Sequence, residues 1–207
     1  LYSTYIFLSM FLVSIFANFI ANDKPLFVFF DKKILFPVIE SIPETFFGGE
    51  FETEADYKDP FVIELINKNG FLIMPLIEYS YETINYDLDV PSPSPPSLEN
   101  ILGTDDQGRD VLSRLIYGSR IALIVSFGAI ILSVLIGVPL GLISVHFRGP
   151  IDNILMRIMD ALVVFPSLVI AIGLSVAIGS SLTTVVLAIG IANVPWMARI
   201  VRSQGLI

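Results

Sequence analysis

The sequence has no cysteine and a single histidine, His146. The first absence excludes a disulfide framework, an Fe–S cluster and a thiolate metal site, and the second excludes a multi-histidine metal centre. Charge is scarce too, at 15% of residues, and none falls in 121–145 or in 161–198. With 54% hydrophobic residues and a mean hydropathy of +0.77, the chain is too apolar for an ordinary soluble domain and belongs in a membrane. Basic charge is the scarcer sign, with 12 Lys/Arg against 20 Asp/Glu. A nucleic-acid partner is excluded, because a phosphate backbone needs a basic surface. No GxxxxGK[ST] loop occurs, so the chain does not bind ATP by that motif.

The acidity belongs to one stretch: residues 22–120 hold 18 Asp/Glu and eight Lys/Arg, the rest two Asp and four Arg. Before it, residues 1–21 carry no charge. About 21 residues at 1.5 Å each reach roughly 31 Å, which predicts one transmembrane helix. A cleaved signal peptide is the competing reading, but the run is longer than an h-region and no small-x-small site precedes Asn22. The chain opens on Leu1 rather than Met and stops at Ile207 in an apolar run, as expected of a fragment.

From 22 to about 100, Pro, Gly, acids and aromatics dominate and a water-facing insert is expected. FVFF (27–30), ILFPVI (34–39) and GFLIMPLI (70–77) are strand-like, being short, rich in β-branched and aromatic residues, and bounded by breakers. Gly48 and Gly49 suit a tight turn, and Phe61, Leu65 and Ile66 predict one short helix ended by Asn69 and Gly70. Glu50, Glu52, Glu54, Asp56 and Asp59 lack the Gly and bidentate Glu of a calcium loop and read as a solvated acidic face. The aromatics, Phe46, Phe47, Phe51 and Tyr57 among them, read as core. PSPSPPS (91–97) predicts a stiff, extended tether separating the insert from the membrane unit.

Next come Gly103, Thr104, Asp105, Asp106, Gly108, Arg109 and Asp110. Thr and Asp are N-cap residues, and Val111, Leu112, Leu115 and Ile116 share a face, which predicts an interfacial helix over about 105–118 broken at Gly118 and Ser119. The carboxylates read as caps and partners of Arg109 or Arg114 rather than as catalysts, since no partner base or pocket is apparent. The uncharged run 121–145 predicts a second span, in which Gly137 and Gly141 form a GxxxG pair for close helix packing around Pro139. The uncharged run 161–198 would reach about 57 Å as one helix. It must turn back, and Gly179, Ser180 and Ser181 divide it into a third span of 152–178 and a fourth of 182–200. Arg148, Arg157, Arg199 and Arg202 would then be cytoplasmic and 22–120 extracytoplasmic. Asp160 is paired by this reading with Arg157, three residues earlier on the same face, while Asn193 and Pro195 could line a pathway or form a packed kink.

Four stretches, LGTDDQGRDVLSRLIYGSRIAL (102–123), IGVPLGLIS (136–144), IDNILMRIMDALVVFPSLVIAI (151–172) and VVLAIGIANVPWMARIVRSQ (185–204), resemble the permease subunits of bacterial ATP-binding-cassette importers for dipeptides, oligopeptides and nickel (DppC/OppC type). The insert sequences FPVIESIPETFFGGEFETEADYKDPFVIEL and YSYETINYDL resemble the long loop of the YejE-like branch, linked with microcin C and oligopeptide uptake. HFRGP stands where the family has Tyr-Phe-Gly-Gly-like residues. The resemblance implies an all-α polytopic membrane protein of the bacterial inner membrane with a small mixed or irregular extracytoplasmic insert. Its organisation is 1–21 first helix, 22–100 insert and 101–207 permease core. It implies no catalytic, metal or cofactor site in this chain, with ATP bound by two cytoplasmic ATPase subunits, and a second homologous permease and a solute-binding protein as further partners. The coupling loop would lie beyond Ile207. Gly103, Thr104, Asp105, Gly108, Arg109, Asp110, Arg157, Asp160, Pro166, Asn193, Pro195 and Arg199 are the motif residues and candidate pathway or interface positions. A membrane-anchored sensor is the alternative, although one or two spans would suffice for it.

Overall fold

The computed structural model describes residues 2–88 and 90–205; Leu1 of the first apolar run, Asp89 of the insert, and Leu206 and Ile207 of the core lie outside the described residues. The fold is mostly helical, with one small sheet. Two compact units are present, Leu1–Ile121 and Ala122–Ile207.

The first apolar run is not one helix. It forms α1 (Tyr2–Ile15) and a single turn, α2 (Ala17–Ile20), with Phe16 at non-helical angles between them. Fourteen residues rise about 21 Å, short of a hydrocarbon core. The break has a packing cause: Ala17 and Ala21 are fully buried against Ile77 and Ile116, and the Tyr117 hydroxyl donates to the Ala21 carbonyl at 2.9 Å.

The insert folds as expected, with local corrections. Strands β1 (Phe27–Phe30), β2 (Lys33–Leu35) and β3 (Gly70–Ile73) form an antiparallel sheet in the order β2-β1-β3. β2 stops before Pro37, since proline cannot donate to a ladder. Helix α3 (Pro60–Asn69) starts with Pro60 at N1 and the Asp59 carboxylate accepting from Phe61 N at 2.8 Å. Its Val62 and Ile66 are fully buried against Val28, Phe30, Phe47 and Tyr57, so the aromatics Phe47 and Tyr57 are core, whereas Phe46 and Phe51, expected there too, are exposed. Gly48 closes the 3₁₀ turn Glu44–Phe47 at φ +95°, a conformation that an L side chain resists.

The Pro-rich stretch is a folded loop rather than an extended tether. Thr104 N donates to Ser94 O at 3.1 Å, Ser94 N to Thr104 Oγ1 at 2.9 Å, and Ser97 N to Asn100 O at 2.9 Å. These bonds tie it back onto the motif at 103–110.

Helix α4 runs unbroken from Val111 to Phe147, so the interfacial helix and second span are one element starting six residues later than predicted. A single glycine costs only about 1 kcal/mol in a helix, too little to end this one at Gly118. Ser119, the other half of the expected break, returns its hydroxyl to Leu115 O at 2.8 Å within the helix. The third span is broken: α5 (Pro150–Val164) and α6 (Ser167–Ile178) meet at 87° across Phe165 and Pro166. Proline pushes the residue before it out of the helical region, and Phe165 is extended at ψ 122°. The chain turns at Gly179 (φ +89°) as expected, and α7 runs Leu182–Gly205, beyond the predicted end. Within the second unit, α7 packs against both α5 and α6. α4 and α7 are long and apolar enough to cross a membrane, and the bent pair α5 and α6 could make one more crossing.

Candidate functional site

The motif 103–110 is a locked turn in front of α4. Asp105 accepts from the backbone N–H of Gln107 at 2.9 Å and of Arg109 at 3.0 Å through Oδ1. Its Oδ2 receives Arg109 Nε at 2.9 Å and Nη2 at 2.8 Å, and Arg114 Nη1 closes on the same oxygen. Partial burial favours the neutral acid, but the Arg109 amide and guanidinium and the Gln107 amide outweigh it and hold the carboxyl at about 2. Gly103 (φ +75°) has no room for a side chain, because a Cβ there would lie 2.4 Å from Ser94 O. Gly108, at φ +81°, carries the turn back to Arg109.

Asp110 is fully buried and caps α4: Ser113 N, at N3, donates to its Oδ1 at 2.7 Å. Asn100 Nδ2 donates to its Oδ2 at 2.9 Å, and Asn100 Oδ1 accepts in turn from Asn85 Nδ2 at 3.1 Å. The two carboxylates are thus engaged in a turn, an ion pair, a helix cap and a bond from a buried side-chain amide. Thr104 joins through its hydroxyl to Ser94 rather than as a helix cap. Asn85 and Asn100 were missed from sequence, where nothing distinguishes them from other loop asparagines.

In the second unit, two ion pairs join α5 to α7. Asp160 pairs with Arg199 at 2.5 Å, not with Arg157 as the sequence suggested. The i,i+3 spacing permits the local pair, but the packing of α7 on α5 brings a guanidinium to Asp160 from across the contact. Trp196 lies 6.0 Å from the Arg199 guanidinium, within cation–π range. Further along the same contact, Asp152 takes Arg202 in a two-pronged bond at 2.6 and 2.5 Å, and the buried Ser144 of α4 donates to the same carboxylate. Arg202 was read from sequence only as a cytoplasmic flanking charge, and Ser144 and Asp152 were given no site role there. In the same unit, Met159, Val194 and Ala198 form a buried cluster with Leu140 and Met156 packed on it.

The GxxxG pair packs α4 on α7, as expected. A Cβ on Gly137 would lie 2.7 Å from Met197 Cβ, and one on Gly141 would lie 2.7 Å from Ala198 O. α7 answers with Gly190, set against Leu132. Beside this contact is a groove of about 390 Å³ lined by Ser126, Ser133, Asn193, Trp196 and Met197. Asn193 donates to Ile189 O at 2.8 Å and is exposed, and Pro195 is buried within an unbroken helix. Pro166 stands at the head of α6, at the 87° break. Among the described residues no group of three His, Asp or Glu is placed to hold a metal.

Residues 133–207 match the family described as binding-protein-dependent transport system inner membrane component. The chain is similar to the inner membrane ABC transporter permease protein YejE of Escherichia coli, 36% identical over 174 residues covering 84% of this chain and 51% of that protein. It is similar to the peptidoglycan transport system permease protein YejE of Agrobacterium fabrum, at 38% identity over 77% of this chain and 48% of that protein. The dipeptide transport system permease protein DppC of Alkalihalophilus pseudofirmus is 42% identical over 53% of this chain and 36% of its own length. The chain spans about half the length of the two YejE relatives. Apolar helices, the α4–α7 glycine contact and these similarities agree, and the chain belongs to the binding-protein-dependent transport system inner membrane components.

Proposed function

We propose that the complete protein is a permease subunit of an ATP-driven, binding-protein-dependent importer of peptides or peptide-like compounds, and that this chain supplies part of its half of the translocation pathway. The observation that carries the reading is the second unit: an α4–α7 glycine contact beside a broken α5–α6 helix pair, inside the stretch that matches the family. ATP hydrolysis falls to two cytoplasmic ATPase subunits, and a second permease and an extracytoplasmic solute-binding protein complete the assembly. Residues 22–120 face outward and the arginines Arg148, Arg157, Arg199 and Arg202 face inward, in keeping with the excess of basic residues on cytoplasmic flanks.

Alternating access requires helices that rock against one another. α7 is the moving partner in this proposal, because it touches α5 and α6 and meets α4 through glycines. Asp160–Arg199 and Asp152–Arg202 hold one setting of that contact, and Asn193 borders the groove through which substrate passes, with Pro195 buried behind it in α7. The motif Gly103 to Asp110 anchors the outer start of α4. A membrane-anchored sensor finds no support in the relatives, which are permeases.

The test is uptake of labelled di- and oligopeptides by cells lacking the gene, with and without the complete protein. Loss of uptake restored by the gene, together with copurification of an ATPase and a second permease, is the expected result. Unchanged uptake and a protein purifying alone would overturn the reading.

A further inference from the structure

The sheet β2-β1-β3 has two unlike faces. Val28, Phe30, Leu35 and Leu72 point into the core under α3. The opposite face carries Phe27, Phe29, Ile34, Phe71 and Ile73: the register pairs Phe29 with both Ile34 and Phe71, and Phe27 with Ile73. Phe71 packs its ring on Phe27 at 6.0 Å and on Phe29 at 5.7 Å. This face stays uncovered, with Ile34 61%, Phe71 49% and Ile73 44% exposed. These five side chains carry no charge, although the stretch 22–120 around them holds 18 acids.

We infer that this face rests on the phospholipid surface, seating the insert on the bilayer. Its position in the first unit points to lipid as the occupant. α1 is apolar and exposed on nearly all sides, as a lipid-facing helix is. The sheet is fastened to the end of the same stretch: Ile77 N donates to Ile20 O at 2.9 Å, Asn22 N to Ile77 O at 3.0 Å, and Leu26 N to Ile73 O at 2.8 Å. The apolar face therefore begins where the apolar helix ends. A four-residue strand is about 13 Å long, so the whole face stays within reach of the headgroup and upper acyl region, where apolar side chains bury about 5–10 Å deep. None of the five residues that form this face is an acid that anionic headgroups would repel. The inference rests on α1 being in lipid and is independent of transport.

The experiment uses the complete polypeptide in phosphatidylcholine vesicles. Trp196 is the sole tryptophan of this stretch, so Trp196→Phe, with any tryptophan elsewhere in the complete polypeptide also replaced by Phe, gives a silent background. Single tryptophans are then introduced as Phe71→Trp, Ile73→Trp, Phe7→Trp in α1 and Tyr86→Trp as a control, Tyr86 being 85% exposed outside the sheet. With lipid brominated high on its acyl chains, Phe71→Trp and Ile73→Trp should lose most of their emission, as should Phe7→Trp, while Tyr86→Trp keeps its own. If Phe71→Trp does not fold, Ile34→Trp on the same face reads the same contact. Quenching of Phe7→Trp with none at the sheet positions would overturn the inference alone. No quenching at either would overturn the membrane placement of α1 as well. Blue-shifted sheet emission without lipid quenching would assign the face to a protein partner and also overturn it.

Discussion

Arg202 grips Asp152 along one edge of its guanidinium, Nε at 2.6 Å and Nη2 at 2.5 Å, while Ser144 donates to the same carboxylate. Three helices, α4, α5 and α7, thus meet at one carboxylate. A bidentate charge-assisted pair is directional, so a shape-preserving neutral substitution discards most of it. Asp152→Asn should lower the thermal midpoint of the purified protein in detergent more than Asp160→Asn does, because Asp160 makes a single-point contact and is 66% exposed. The exchange Asp152→Arg with Arg202→Asp should recover part of the loss. Equal midpoints for the two single variants would refute the ranking.

Glycine at the α4–α7 contact sets a steric limit. A leucine at Gly141 must displace Ala198 O and the Val201 side chain, each within 2.9 Å of where a Cβ would stand. Overpacking of this kind costs about 1–3 kcal/mol. Gly141→Leu should lower stability by that amount in chemical unfolding, whereas Gly118→Leu, where a Cβ meets nothing within 4 Å, should not.

The turn at 105–110 should respond to acid late. The Asp105 carboxyl is held at about 2 against an ordinary 3.8. A depressed folded pKa contributes stability that is fully present above 3.8 and is lost as the pH falls towards about 2. Hydrogen exchange at the Arg109 amide, which donates to Asp105 at 3.0 Å, should therefore stay slow to below pH 4 and rise only as the acid protonates. In Asp105→Asn the same amide should exchange faster at neutral pH and lose this acid step.

Pro166 enforces the break between α5 and α6 by holding Phe165 extended. Pro166→Ala frees Phe165 to turn helical and lets the pair straighten. Spin labels at exposed Ile154 and Val176 should report a longer and broader distance distribution in the variant. An unchanged distribution would mean that packing against α7, not the proline, sets the bend.

Several features were legible in the residues because they depend on neighbours in sequence. The uncharged runs marked the apolar helices, the Gly179 to Ser181 turn marked the reversal, and Phe61, Leu65 and Ile66 announced α3. GxxxG at 137 and 141 foretold close packing, and FVFF foretold β1 to the residue. Gly118-Ser119 misled because a helix longer than its local breakers absorbs them, and the Pro-rich stretch misled because its unpaired amides found Thr104 and Asn100.

The sequence by itself determined that this is a membrane chain with one acidic segment, since hydropathy and charge are sums over residues. Partner choice was decided by the tertiary structure. Asp160 took Arg199, 39 positions away, over Arg157 at 3, and Asp152 took Arg202, 50 positions away. Helix packing sets which charges meet, and that distance is not written in local spacing. The same holds for the bare sheet face, whose five apolar side chains come together only when β1, β2 and β3 pair in register.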